Sequence, residues 1–405
     1  MLYSFILGKN PTLSIAEIIS VLKRESFVFV VLSISPKALI IKTDKKIENH
    51  QDFLDKLGGT VKIAEIFLET QEKDIKEIIL GYISNSFSDS KFVFGISSYG
   101  LKTKNLGFNI KKQLKKVEVS SRLVRGKEES LSAPEIKNNK ILEKGADFVL
   151  IRSKNQVFLG KTIAIQDYEA YSNRDYGRPR RNAKSGMLPL KVAQIMLNLL
   201  PLKANQAKSY KLIYDPFCGN GTILQEALLM GYQVIGSDIS NERVYDTKEN
   251  LKWLKNKYSL SIEPEKMVFQ ADALNLNKKS LPVQSKTIVS EVYLGPPLTE
   301  RVTEKSILEI VKDLEKEYAS FLNNIQYLNI QYLVLALPFY NLKNKHYHLN
   351  IFDSIQKIGY NVRSPFDDLR VDLNLLPEFD NSRKTILYSR PDQIVGREIV
   401  ILERK

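Results

Sequence analysis

The order of apolar and polar residues divides the chain into three blocks. In residues 1 to about 70, apolar runs at 2–7, 27–33 and 38–42 predict strands. Between the first two, Ile15, Ile18, Ile19 and Leu22 recur at helical spacing. They predict a helix over 12–23, with Thr12 or Ser14 as N-cap. A second helix over 47–57 stops at Gly58-Gly59, and a strand over 61–67 closes a ferredoxin-like α+β unit. Residues 71–165 predict a second small α/β unit. It has helices at 75–85 and 109–117, a strand at 91–97, and strands at 148–152 and 157–165 paired antiparallel across a short turn. A polar, basic linker follows over 166–187, and from Leu188 to the end the pattern repeats as strand and helix. There, 332–337 reads as a buried central strand that ends at Pro338.

One stretch of the third block carries recognisable chemistry. The strand ending at Tyr214 runs into Asp215-Pro216-Phe217-Cys218-Gly219-Asn220-Gly221-Thr222. A helical pattern over 223–229 follows, then a strand over 233–236 that ends at Asp238. Strand, glycine loop, helix, strand and acid in this order form the layout of a nucleotide-type cofactor site. Gly219 and Gly221 are expected to let the backbone approach a ligand where a Cβ would clash. Asp238, at the end of the second strand, is placed to accept two ribose hydroxyls. The loop is neither Gly-x-Gly-x-x-Gly nor a phosphate loop followed by Lys-Ser/Thr. A plain strand–helix turn remains the alternative.

Charge changes the picture next. The formal net charge is +14, and residues 1–165 hold 27 Lys/Arg against 18 Asp/Glu. Within 102–127 nine basic residues face a single acid, Glu118. Lys111, Lys112, Lys115 and Lys116 share one broad helical face, so they form either a solvated surface or an electrostatic platform for RNA. The single cysteine, Cys218, rules out a disulfide framework and a multi-cysteine zinc site. His50, His346 and His348 do not complete a metal-ligand pattern, and no metal site is expected. No apolar run reaches about 18 residues, and the N-terminus reads as a strand. The expectation is a cytoplasmic protein with no membrane segment.

With these residues in view, the chain resembles the THUMP-containing tRNA guanine-N2 methyltransferases. The resemblance is carried by Leu7-Gly8-Lys9-Asn10-Pro11-Thr12-Leu13-Ser14, by Leu57-Gly58-Gly59-Thr60-Val61-Lys62, and by Arg174-Asp175-Tyr176-Gly177-Arg178-Pro179. It continues through Gly186-Met187-Leu188-Pro189-Leu190, the glycine loop, and Tyr388-Ser389-Arg390-Pro391-Asp392-Gln393-Ile394-Val395-Gly396-Arg397-Glu398. It implies an α/β fold in four parts. A ferredoxin-like domain spans 1–70 and a THUMP-like RNA-binding domain 71–165. The basic linker 166–187 then leads to a Rossmann-like methyltransferase domain at 188–405, whose sheet is closed by antiparallel strands at 386–389 and 398–403.

The resemblance also implies the cofactor S-adenosylmethionine and an RNA substrate, with tRNA first. A small activator subunit is left open. Asp215 is then expected at the methionine part, with Phe217, Gly219 and Gly221 shaping the loop. Asp238 is expected at the ribose, and Asp272 at the adenine amine or as a helix N-cap. Arg178, with Pro179, is expected at the approach to the cofactor or substrate. Arg174, Arg180, Arg181 and Lys184 join them as a basic stretch for phosphates. The family's Asp/Asn-Pro-Pro-Tyr motif is altered here to Glu291-Val292-Tyr293-Leu294-Gly295-Pro296-Pro297. One alignment makes Glu291 the acceptor for the reacting amine, the Val292 carbonyl the second acceptor and Tyr293 the aromatic surface. The other puts Gly295 at the acid position and removes the acceptor. Two further readings stay open: a DNA amino-methyltransferase, and a catalytically silent RNA-binding protein.

Overall fold

The computed structural model describes all residues except 87–90, 182–186, 203–209, 277–284, 299–301, 344, 370 and 392. Lys184, Gly186 and Asp392 therefore lie outside the described residues. The chain splits into two compact units, Met1–Pro11 with Phe27–Ala170, and Thr12–Ser26 with Tyr171–Lys405.

In the first unit, strands β1 (Leu2–Leu7), β2 (Phe29–Ile34), β3 (Ala38–Thr43), β4 (Thr60–Thr70), β5 (Phe92–Tyr99), β6 (Ser121–Leu123), β7 (Gly145–Ser153) and β8 (Gln156–Ile165) form one sheet. Their order is β2-β3-β1-β4-β8-β7-β5-β6. The two N-terminal regions expected as separate units thus share a sheet. The join is the antiparallel ladder of β4 and β8, from Lys62↔Ile165 to Thr70↔Val157. β4 runs past the expected end at residue 67 to Thr70, which lengthens this ladder. Ile6, Ala38 and Ile40 of one region pack in a common core with Val149, Ile151 and Phe158 of the other.

A buried polar network also crosses the join. Lys62 Nζ on β4 lies 3.2 Å from Asp147 Oδ2 on β7, and both residues are buried. Lys62 also donates to Ser97 Oγ (3.0 Å), while Ser97 and Thr162 donate to Asp147. Burying two charges costs several kcal/mol per ion, roughly, and the full set of hydrogen bonds offsets that cost.

The helix Leu106–Lys116 turns Ile110 and Leu114 to the core and leaves Lys111, Lys112, Lys115 and Lys116 exposed, as its period requires.

In the second unit the strands are β9 (Leu212–Asp215), β10 (Gln233–Asp238), β11 (Val268–Gln270), β12 (Thr287–Glu291) and β13 (Tyr332–Leu342). After them come β14 (Lys345–Tyr347), β15 (Tyr360–Arg363), β16 (Phe379–Asp380), β17 (Thr385–Tyr388) and β18 (Val395–Arg404). The order is β11-β10-β9-β12-β13-β18-β17-β16, with β14 also on β13 and β15 also on β18. β11, β10, β9, β12 and β13 run parallel, and β18 is antiparallel to β13. The order reverses between β9 and β12, so a crevice opens beyond their carboxyl ends. The core is continuous from Tyr214 and Ile288 through Leu333 and Leu335 to Phe321 of the helix Glu304–Ile325.

Three expectations are corrected. β13 does not end at Pro338 but continues to Leu342, with Pro338 opposite Arg397 in the ladder. β12 pairs with β13 only as far as Ala336, so on that side a residue without an N–H is tolerated at 338. The stretch expected as an exposed basic linker contains the helix Tyr168–Gly177, and Arg174 and Arg178 are buried. The helix Pro11–Arg24 clusters, from Thr12 on, with the second unit. There Arg24 Nη2 donates to Asn198 Oδ1 (2.6 Å), and Asn198 Nδ2 donates to Glu17 Oε1 (2.7 Å).

Candidate active site

A cleft of about 750 Å³ opens at the carboxyl ends of β9, β10 and β12. Its lining includes Asp215, Phe217, Gly219, Asp238, Glu291 and Tyr293, six of the residues expected from sequence. These come from three strand ends, and the parallel register places them together: Gly236 of β10 lies opposite Asp215, and Ile288 of β12 opposite Tyr214.

The glycine loop is held by its own backbone and from behind. Cys218 N donates to Ser237 O (2.9 Å) and Gly221 N to Cys218 O (2.7 Å). Thr247 Oγ1 donates to Gly219 O (2.6 Å), and Asn250 Nδ2 to Asn220 O (2.9 Å). Both belong to the helix Asn241–Tyr258. Gly221 has φ +78°, and a Cβ there would meet Thr247 Cγ2 at 2.8 Å. Its glycine is therefore required by packing behind the loop, and the expectation that it makes room for a ligand is corrected. Gly219, with φ +52°, is different: the nearest atom to a Cβ there is 3.9 Å away, so its cleft side is open to a ligand.

The three acids differ in their surroundings. Asp238 Oδ2 accepts from Gly219 N (3.0 Å) and Oδ1 from Ser240 N (2.9 Å). Each oxygen so keeps acceptor capacity for one hydroxyl of a vicinal diol. Asp215 is buried. Its Oδ1 accepts from Ser290 Oγ (2.6 Å) and Phe217 N (3.2 Å). Burial pushes the Asp215 carboxyl up to about 7, against the pull of those two hydrogen bonds. A cationic group beside it would restore the charged form. Glu291 ends β12 and forms an ion pair with Arg397 of β18 through Oε1 and Nε. Burial raises the Glu291 carboxyl above its ordinary value, and Arg397 acts in the opposite direction.

The loop after Glu291 is braced by two buried tyrosines. The Tyr318 hydroxyl donates to the Tyr293 carbonyl, and the Tyr340 hydroxyl donates to Leu294 O (2.9 Å). Gly295 has φ +89°, and a Cβ there would lie 2.6 Å from the Tyr340 hydroxyl. Gly295 is thus a turn residue fitted over Tyr340, while Tyr293 is half exposed at the cleft.

The cleft lining, among the described residues, does not include Asp272, Gly221 or Arg178. Asp272 is an N-cap, accepting from Leu274 N at 2.9 Å. Arg178 sits behind the loop and donates to Thr222 Oγ1 (2.9 Å). Arg174 is consumed by Glu226, with Nε 2.9 Å from Oε1. Neither arginine is at the surface, so neither is a free phosphate contact.

Sequence reasoning missed Ser290, Arg397, Tyr318 and Tyr340. Arg397 stands inside the C-terminal segment that carried the resemblance, and Ser290 directly precedes Glu291. Nothing local marks Tyr318 or Tyr340, whose hydroxyls act 25 and 46 residues away along the chain.

In the first unit, Lys111, Lys112 and Lys115 line a groove of about 690 Å³ together with Lys91 and Phe108. Phe108 is exposed, with the Arg125 guanidinium 4.7 Å from its ring centre.

The strand order, the glycine loop and the acid ending β10 define a Rossmann-like methyltransferase fold. Residues 178–309 match the UPF0020 family, the RMKL-like methyltransferase domain. Among curated proteins, the chain is similar to the tRNA (guanine(10)-N2)-dimethyltransferase of Methanocaldococcus jannaschii. The two are 28% identical over 214 residues, covering 51% of this chain and 58% of that protein. The enzyme of the same name from Methanothermobacter thermautotrophicus is 46% identical over 67 residues, covering 16% of this chain and 18% of that protein. The chain thus spans less than two thirds of the length of these relatives. Among solved structures, TrmN from Thermus thermophilus covers 100% of both chains with a TM-score of 0.51 at 13% identity. A possible methylase from Clostridium difficile 630 covers 100% of this chain and 99% of its own, with a TM-score of 0.50 at 13% identity. These two likenesses establish the fold.

Proposed function

We propose that this protein is an S-adenosylmethionine-dependent RNA methyltransferase that modifies the exocyclic N2 of a guanosine in tRNA. The observation that carries this reading is the convergence of Asp215, Asp238 and Glu291 on one cleft beside the glycine loop. The names of the curated relatives supply the substrate class.

When bound, the cofactor supplies a methyl group on a positively charged sulfur. Asp238 holds the ribose hydroxyls, and Asp215 holds the amino group of the methionine part. Glu291 accepts N–H bonds of the target amine with the Val292 carbonyl, which turns the nitrogen lone pair towards the methyl group. Its carboxyl, raised by burial, is suited to take the proton that the amine must lose. Tyr293 offers a ring at the cleft mouth for the base. Positioning and electrostatics provide most of the rate enhancement. The base reaches the cleft only when unpaired or flipped. The lysine groove around Lys111, Lys112 and Lys115, with Phe108, is a phosphate-binding and base-stacking surface for the RNA. The first unit is read as the ferredoxin-like and THUMP-like part, and the protein as cytoplasmic.

The test is methyl transfer from labelled S-adenosylmethionine to unmodified total tRNA, followed by nucleoside analysis, for wild type and Glu291→Ala. N2-methylguanosine from wild type, lost in Glu291→Ala, supports the reading and the alignment with Glu291 as acceptor. Cofactor binding without transfer to RNA or DNA, in the presence of cell extract as a source of any activator subunit, favours the silent RNA-binding reading. Transfer to DNA favours the DNA amino-methyltransferase.

A further inference from the structure

The Glu291–Arg397 pair has one physical feature that matters at the cleft: the acceptor acid is already matched to a cation. Glu291 ends β12 opposite Ala336, and Arg397 lies on β18 opposite Pro338, so the two approach each other across β13. They are 106 residues apart in sequence, and both line the cleft. A largely buried ion pair of this kind adds little net stability over an apolar pair, so its place in the cleft lining points to what it faces.

Resting on the function proposed above, we propose that Glu291 and Arg397 together read the Watson–Crick edge of guanine. That edge presents two donors, N2–H and N1–H, followed by one acceptor, O6. A carboxylate with an adjoining guanidinium presents two acceptors followed by donors, the complementary order. Glu291 accepts from N2–H and N1–H, which holds the amine for reaction. Arg397 donates to O6. Adenine fits poorly, because its edge offers neither N1–H nor a 6-oxo group and its C2 carries no amine. The half-exposed ring of Tyr293 lines the same cleft and covers the base face. Arg397 is therefore a specificity residue as well as the partner that keeps Glu291 in place.

The experiment uses the full chain, S-adenosylmethionine and tRNA transcripts. The nucleotide methylated by wild type is located by nuclease mapping and mass spectrometry. Ligated transcripts then carry guanosine, 2,6-diaminopurine riboside or 2-aminopurine riboside at that single position. All three keep the C2 amine, but both analogues lack N1–H and the 6-oxo group. Wild type is expected to prefer guanosine by at least about tenfold in kcat/KM, as a site built to hydrogen-bond a polar edge does. Arg397→Met is expected to lower that preference by about tenfold, and Arg397→Lys by less, since it keeps a charge without the fork. A merely structural loss slows all three substrates alike and leaves the ratio unchanged. Affinity for S-adenosylmethionine, measured on each variant, reports whether the cleft is intact. Guanosine methylation with a ratio indifferent to Arg397, in variants that still bind S-adenosylmethionine, overturns the edge reading alone. No N2-methylguanosine from wild type, with cell extract added as a source of any activator subunit, overturns the proposed function and this inference together.

Discussion

Asp215 gives the sharpest quantitative handle on the cleft. Its carboxyl is buried and pushed up to about 7, whereas in the unfolded chain it titrates near 3.8. The folded state therefore binds the extra proton between these values, and stability of the ligand-free protein falls as pH rises from about 4 to about 7. The shift of about three units corresponds to roughly 4 kcal/mol, reached above pH 7. Between about pH 5 and about pH 8 the change is roughly 2–3 kcal/mol, because part of the penalty is already present at pH 5.

Asp215→Asn removes the titration and keeps the shape. The variant should be more stable than wild type in urea unfolding, and its advantage should grow by roughly 2–3 kcal/mol between about pH 5 and about pH 8. Binding of S-adenosylmethionine should show the converse. Its ammonium group needs the ionised carboxylate, so affinity for wild type should fall about tenfold per pH unit below about 7 after allowance for the cofactor's own titration, and should be flat for Asp215→Asn. Isothermal titration across that range gives the comparison. A stability difference that does not change with pH, or that changes in the opposite sense, would refute the claim that desolvation dominates at Asp215. A parallel pH slope in both proteins would remove Asp215 from the cofactor's cationic end.

Three other outcomes follow from the same reasoning. Gly221→Ala should destabilise by about 1–3 kcal/mol, since it adds a Cβ 2.8 Å from Thr247 Cγ2 at φ +78°; Gly231→Ala, at φ +82° with open space around it, is the control that isolates the backbone cost in thermal unfolding. Lys62→Met should cost about 3–5 kcal/mol by leaving Asp147 buried without its cation, and the double variant with Asp147→Leu should recover much of that loss; strict additivity of the two in denaturant unfolding would show that they do not interact. Alanine at Lys111, Lys112 and Lys115 together should weaken tRNA binding and reduce the slope of log affinity against log salt by about 2–3, while leaving affinity for S-adenosylmethionine unchanged; an unaltered salt slope would place the RNA elsewhere.

Much of the second unit was legible along the chain because its signals are local. The strand, glycine loop, helix, strand and acid from Leu212 to Asp238 follow from apolar period and turn chemistry, and the structure has these elements there. The exposed lysine face of Leu106–Lys116 likewise follows from helical period alone. Arg178 and Asp272 show the limit. Their positions beside the loop were readable, but whether a side chain points into the cleft depends on the packing behind it, where Thr222 takes one and the backbone of Leu274 takes the other.

What the sequence determined by itself is the strand, glycine loop, helix and strand around Leu212–Asp238 and the acids Asp215, Asp238 and Glu291 that end β9, β10 and β12, since each depends on residues within one turn or one strand. Only the tertiary structure decided the partners. Ser290 reaches Asp215 across 75 residues and Arg397 reaches Glu291 across 106, because the order and register of β9, β12, β13 and β18 bring those strand ends side by side. The fusion of the two N-terminal regions through β4 and β8, with Lys62 paired to Asp147, has the same origin. Strand pairing is set by the global packing of apolar faces, so a one-residue change of register would break every one of these contacts without altering any local pattern.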